Sequence, residues 1–166
     1  EKRRYEEALR QDPYWAGGQV VIFVGKPGIM QQRNHIVQVM PEGAYIVSLD
    51  DDVADVFWKQ NIGIKEPLVP LPLGGFEQLV FHAHGVMRQY KAWIWGLNST
   101  SGKNVMNMWS DGISTRNGEI NGFFYGFINR HKESLRPRLA DATEDAERSL
   151  RYFASDKIVL RYRMYC

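Results

Sequence analysis

The sequence predicts an α/β fold, a β-sheet flanked by helices, and three observations carry that expectation. Between positions 19 and 49 a β-branched run, a helical stripe and a second apolar run follow one another within about thirty residues, the size of a βαβ unit. Residues 76–90 carry apolar side chains at helical intervals, and 141–153 opens with the signals of a helix start. The second apolar run, Ala44-Tyr45-Ile46-Val47-Ser48-Leu49, ends in three consecutive aspartates, Asp50, Asp51 and Asp52. That places carboxylates at the carboxyl edge of a strand, where open α/β sheets bind ligands.

The elements follow in order. Residues 1–10 read as a charged helix stopped by Asp12-Pro13, and 19–24 as a short strand turned by Gly25-Lys26-Pro27-Gly28. A helical stripe over 29–40 runs through Ile29, the stem of Arg33, Ile36, Val37 and Met40, and Pro41-Glu42-Gly43 ends it. The strand ending in aspartates comes next, so the unit implies a parallel pair with a right-handed crossover. Residues 65–75, with three prolines and Gly74-Gly75, read as an ordered loop. The helix at 76–90 presents Phe76, Leu79, Val80, Ala83, Met87 and Tyr90 on one face. Residues 92–97 read as a strand, 98–103 as a polar loop, and the glycine-spaced aromatic stretch 119–129 as a straight or bent strand. A helix over 141–153 and a strand over 157–165 complete the chain. There is no internal repeat, low-complexity tract or second domain.

Length and composition agree with this. The 166 residues suffice for one domain with a substantial core. Apolar residues make up 44% and charged residues 24%, the balance of a globular protein. No apolar run is long enough to cross a bilayer, and no secretory signal is present. The one cysteine, Cys166, leaves no intramolecular disulfide, which fits a reducing compartment. Glu1 is not a methionine and opens in a helical pattern, which leaves room for residues upstream. A net charge of +2 and a pI of 8.7 permit a polyanionic partner without demanding one.

Two carboxylates facing one point repel unless a cation or proton lies between them. On an extended chain Asp50 and Asp52 face the same side, and Mg²⁺ or Mn²⁺ suits oxygen ligands of this kind; an acidic turn after a strand is the plainer alternative. Gly25-Lys26-Pro27-Gly28 precedes a helix whose N-terminus can hold an anion, although it matches neither a Walker loop nor a dinucleotide fingerprint. Arg33 on the inward stripe needs an anionic partner, either the aspartates or a bound phosphate. Asp141 and Glu144 have capping-box spacing, and Glu144 with Arg148 and Glu147 with Arg151 are spaced as helix-surface pairs. Asp145 is left without a local role; a general base taking the proton of a hydroxyl would supply about 10² to 10⁴ in rate.

Among the histidines, His82 and His84 are two apart, about 200° on a helix, and no Cys/His zinc spacing exists. The stretch 122–127 is either a buried strand or an aromatic platform for a base or sugar. Arg130, His131, Lys132, Arg136 and Arg138 form either a solvated basic loop or a contact for phosphates.

The stretch 19–52, with Gly-Lys-Pro-Gly, a helix carrying Arg33-Asn34 and a strand ending Ser-Leu-Asp-Asp-Asp, resembles nucleotide-sugar glycosyltransferases of the GT-A fold. Thr143-Glu144-Asp145 before Arg148-Ser149-Leu150-Arg151-Tyr152-Phe153 looks most like the TET/JBP-associated branch, the base J glucosyltransferase-like enzymes, several from phages. The resemblance covers about half the chain by motif. It implies a GT-A-like, Rossmann-type mixed sheet flanked by helices and a UDP-sugar donor, with glucose foremost. It also implies an acceptor hydroxyl on 5-hydroxymethylcytosine or another 5-hydroxymethylpyrimidine in DNA, and a cytoplasmic setting, that of a phage-infected bacterial host if the protein is viral. Asp50 and Asp52 would be metal ligands for Mn²⁺ or Mg²⁺, with His131 the candidate for the family's late metal-binding histidine. Lys26, Arg33, Asn34, Asp50 and Asp51 would line the donor pocket, and Asp145 would be the base with Glu144 beside it. The family's first nucleotide-binding strand has no counterpart before Gln19. A glycan, lipid or protein acceptor, or a non-catalytic nucleotide-sugar-binding domain, is the alternative.

Overall fold

A computed structural model describes residues 2–59, 68–98, 112–116 and 118–166. Four helices lie on the stretches read as helical, a short one at Pro13–Ala16 is unexpected, and the last starts at Glu144, after the expected Asp141. The first, α1 (Lys2–Leu9), buries no side chain, and α2 (Pro13–Ala16) is a single turn. Asp12 caps α2 by accepting the amides of Tyr14 and Trp15, with Pro13 at the position that needs no donor. Helix α3 (Ile29–Val39) starts after Gly28 at φ 85° and ends at Met40, whose extended backbone is what a following proline requires.

Strand β1 (Tyr45–Leu49) follows, then β2 (Phe57–Trp58) and β3 (Val69–Pro70), which pair with each other. Helix α4 (Gly75–Tyr90) ends at Lys91 in the left-handed region, and β4 (Ile94–Leu97) and β5 (Ile113–Ser114) come next. Strand β6 (Phe124–Ile128), helix α5 (Glu144–Asp156) and β7 (Leu160–Tyr162) complete the order. Of the expected loops, 65–67 and 99–103 lie outside the described residues.

The main sheet has the order β1-β6-β4-β7-β5 and is mixed. β6 runs antiparallel to both β1 and β4, with Val47 and Trp95 each facing Gly126, while β4 and β7 are parallel. Alternation along the strands separates two cores. Tyr45, Val47, Trp95, Leu97, Phe124, Leu160 and Tyr162 face one side, where α4 supplies Leu79, Ala83, Val86 and Met87. Ile46, Ile94, Tyr125, Phe127 and Val159 face the other, against Val37 of α3 and Tyr152 and Phe153 of α5. The chain is thus an α/β protein with helices on both faces of a mixed sheet. Trp95 sits at the centre, fully buried, edge-on to Phe124 and Tyr162. A Cβ on Gly126 would overlap its indole, so that position must be glycine.

Three expectations are corrected. Residues 19–24 form no strand; Val21, Phe23 and Val24 are exposed and β1 pairs only with β6 among the described residues. Hence there is no βαβ unit there, and β1 has no parallel partner among the described residues. A β-branched run favours extended backbone, yet it becomes a strand only where a ladder and an apolar face receive it. Secondly, Asp141 does not cap α5. Its carboxylate accepts the amide of Met30, 2.9 Å away in the first turn of α3, and Asp141–Thr143 form a short 3₁₀ turn instead. Thirdly, the Glu144–Arg148 and Glu147–Arg151 pairs exist, but on the inner side of α5: Glu144, Glu147 and Arg148 are all buried.

Candidate functional site

The carboxyl end of β1, the N-terminal half of α3, the bend before β6 and the first turn of α5 meet around one side chain, Arg33. It is buried because it occupies the inward stripe of α3, and a guanidinium out of water needs acceptors. Three are present. Nη2 donates to Oδ1 of Asp50 and to the carbonyl of Gly122, each at 2.7 Å, while Nη1 pairs with Glu144. A Cβ on Gly122 would overlap the guanidinium, so the absence of a side chain there is what lets Arg33 reach.

Glu144 is shared. Its second oxygen takes Arg148, whose guanidinium lies 4.5 Å from the Tyr125 ring centre, with Arg33 at 5.7 Å from the same ring. Two cations and two carboxylates, buried Arg33, Arg148 and Glu144 with partly exposed Asp50, therefore balance on an aromatic floor. Asp145 joins from the next position: its Oδ2 accepts the Gly122 amide at 3.3 Å. Gly122 thus holds Arg33 through its carbonyl and Asp145 through its N–H. Ser149 strengthens the same junction by accepting the amide of Ile120 and donating to the Asp145 carbonyl.

Asp51 and Asp52 are exposed and have no partner among the described residues. They lie in a turn closed by Val53 N–H on the Asp50 carbonyl at 3.4 Å, so the argument from an extended chain does not apply to them. Lys26 is exposed, its amide held by Gln32. Asn34 is turned the other way, donating to the Pro137 carbonyl.

His131 belongs elsewhere. Its Nε2 lies 3.0 Å from the Met40 carbonyl, at the opposite end of β1 from Asp50. Asn129 pairs with Ala44, and six residues of strand put His131 about 20 Å from the aspartates. A metal shared by His131 with Asp50 and Asp52 is therefore ruled out by distance. Among the described residues no group of three or more His, Cys, Asp or Glu converges to hold a metal. What fits a hard cation here is narrower: the free Oδ2 of Asp50 with the exposed Asp51 and Asp52, completed by phosphate oxygens of a ligand.

The basic loop is largely consumed internally. Arg130 makes a two-pronged pair with Asp156 (2.9 and 2.5 Å) and stacks near Trp93 and Tyr152. Arg136 and Arg138 both pair with Glu133, and exposed Lys132 has no partner among the described residues. Within 122–127, Gly122 and Phe123 form the turn before β6, and Phe124–Phe127 are buried strand.

Three contributors escaped sequence reasoning. The role of Gly122 had a faint signal, a glycine opening an aromatic run. The burial of Arg148 had a similar one, because it falls on the face of α5 that carries Tyr152. For Asp141 on the end of α3, 111 positions away, there was none.

No protein-family model matches the chain, and no curated protein or solved structure matches it significantly.

Proposed function

We propose that the protein is a metal-dependent glycosyltransferase that moves a sugar, glucose foremost, from a UDP-sugar to a hydroxyl. The observation that supports this most is the convergence on Arg33. The acid that ends β1 and the acids that open α5, some 94 positions apart for Asp50 and Glu144, meet at one bend of the chain. A donor-side acid and an acceptor-side acid must share one site for such a transfer, and the resemblance assigns these residues those two roles.

In this reading the turn of Asp50, Asp51 and Asp52 receives the donor's diphosphate with Mg²⁺ or Mn²⁺. The cation, when bound, supplies a Lewis acid for the leaving diphosphate. Arg33 orients Asp50 through Oδ1 and leaves Oδ2 available. Gly122 fixes the Asp145 carboxylate, which takes the proton of the acceptor hydroxyl as its oxygen bonds to the anomeric carbon. The bond from that carbon to the diphosphate breaks, and the electron pair leaves with UDP. A hydroxymethylpyrimidine in DNA is the acceptor that the resemblance of 143–153 favours, and a duplex would have to present it flipped out.

One observation favours a second reading. Asp50 and Glu144 are both paired with arginine, as they would be in a domain that kept the fold and lost the chemistry.

The test is binding of UDP-glucose by calorimetry, and release of UDP, with Mn²⁺, with Mg²⁺ and with chelator. Metal-dependent binding is expected, and Asp52→Ala should abolish it with the melting temperature unchanged, since Asp52 is exposed and has no partner among the described residues. Binding that survives Asp52→Ala would remove that residue from the site. No response to any nucleotide sugar would leave the second reading standing. DNA carrying 5-hydroxymethylcytosine or 5-hydroxymethyluracil then tests the acceptor.

A further inference from the structure

Between α4 and the ladder that joins β2 to the C-terminus lies an open cleft of about 370 Å³, where the space behind Arg33 measures about 20 Å³. One side of it is aromatic. Trp58 and Tyr165 oppose each other across an antiparallel bridge, and beside them Phe57 and Cys166 exchange both backbone hydrogen bonds. Residues directly opposite in such a ladder project to the same side. Both line the cleft, with their rings 15° from parallel and their centres 6.0 Å apart. The other side is a face of α4, where Gln78, Leu79 and His82 recur at helical spacing. Gln78 is exposed and has no hydrogen-bond partner among the described residues. His82 holds Nδ1 2.6 Å from the Tyr162 hydroxyl, which anchors the imidazole, and its Nε2 has no partner among the described residues. The described residues that line the cleft include no Asp, Glu, Lys or Arg.

These groups suit an uncharged ligand with two unlike sides. An aromatic ring carries the negative part of its quadrupole on its face and attracts C–H hydrogens there. An amide and a neutral imidazole each donate and accept, as hydroxyls do. A pyranose offers both features, a face of C–H bonds and a rim of hydroxyls. A phosphorylated ligand would meet no Lys or Arg on these walls. A wholly apolar one would take water from Gln78 and His82 without replacing its hydrogen bonds.

We propose that this cleft binds an uncharged pyranose, its C–H face on Trp58 and Tyr165 and its hydroxyls bonded to Gln78 and His82. None of these residues belongs to the cluster around Arg33 or to the turn of Asp50, Asp51 and Asp52. The site does not depend on the glycosyltransferase reading.

The probe is methyl β-D-glucoside, whose equatorial substituents leave C–H bonds on both ring faces. It is titrated into ¹⁵N-labelled protein with chelator present, so that no metal site contributes. The amides of Trp58, Tyr165 and the stretch 78–82 should shift and saturate together. Gln78→Ala should weaken the affinity about fivefold, the loss of one hydrogen bond, with the melting temperature unchanged. Trp58→Leu should abolish the shifts at 78–82 while the protein still melts cooperatively. No saturable shift, shifts confined to other parts of the chain, or an affinity unchanged in both variants would overturn the proposal. Uridine, a flat ring with two π faces, is the comparison: saturable shifts with uridine and none with the glucoside would also overturn it.

Discussion

Arg33 shows how one side chain can be structural and functional on the same evidence. Only 7% exposed, it satisfies Asp50, Glu144 and the Gly122 carbonyl together, so removing it strands Glu144 and Gly122, which gave up water to meet it, while Asp50 stays partly exposed. Breaking a buried pair from one side costs about 3–5 kcal/mol, and Arg148 still neutralises Glu144 here, so Arg33→Met should fall near about 3 kcal/mol. Urea unfolding measures it, and a loss below about 1 kcal/mol would mean the pairs contribute nothing net. Arg33→Lys should recover part of the loss, since one ammonium cannot span acceptors on three elements. The burial of Arg33 was legible in the sequence because it falls on the apolar stripe of α3. That it would meet the aspartates was legible too, as one of the two partners expected, and Asp50 is the one it meets; Glu144 was not, since it reaches Arg33 only through the tertiary fold. The same holds for Gly122, in the turn before β6: a glycine opening an aromatic run announces a close approach, never the identity of what approaches.

At the scale of elements, the longer helices were readable because each declares its own period or its own start. Helix α4 buries Leu79, Ala83 and Met87 as its pattern requires, with Phe76 and Tyr90 at its ends left 40% and 43% exposed. Caps were less readable, because Asp141 serves α3 rather than the helix next to it. The tyrosines packed into the two cores, Tyr45 and Tyr162 of the sheet and Tyr152 of α5, give a property that belongs to packed elements and to no single residue. Burial pushes Tyr45 up to about 12, outweighing the Trp95 indole N–H that its hydroxyl accepts at 2.8 Å. Burial does the same for Tyr152, again to about 12, against the pull of Arg130 and Arg148, and it raises Tyr162 as well. Folding thus holds these phenols neutral above their ordinary value of 10.0. The stability they confer is complete below pH 10 and drains away as the pH climbs towards 12. Their phenolate absorbance should therefore appear together with loss of near-ultraviolet circular dichroism, as one cooperative step. Ionisation of buried tyrosines with the dichroism intact would contradict their burial in the two cores.

Across the whole molecule, the sheet order decides where stability concentrates. Strand β6 is laddered on both sides, and β4 is enclosed between β6 and β7 with all four of its residues buried. Strand β1, which delivers the aspartates, has one partner only among the described residues. The β-branched run 19–24 lies unladdered and exposed, with Phe23 at 65% and Val24 at 72%. That arrangement was unreadable from sequence, because a run of this composition takes its state from whether a sheet edge receives it. Local opening follows backbone burial and ladder bonds, so amide hydrogen exchange should rank the segments. Amides of β6 and β4 should exchange slowest, at the rate of global unfolding, with those of β1 that face β6 next. Amides of 20–25 should exchange almost as freely as in an unfolded chain. Protection of 20–25 matching that of β1 would mean that the run pairs along the open edge of β1 in solution. The parallel unit expected from the sequence would then exist, and the aspartates would leave the sheet from an interior strand instead of an edge. Because the comparison is made within one protein under one condition, a change in overall stability cannot imitate either result.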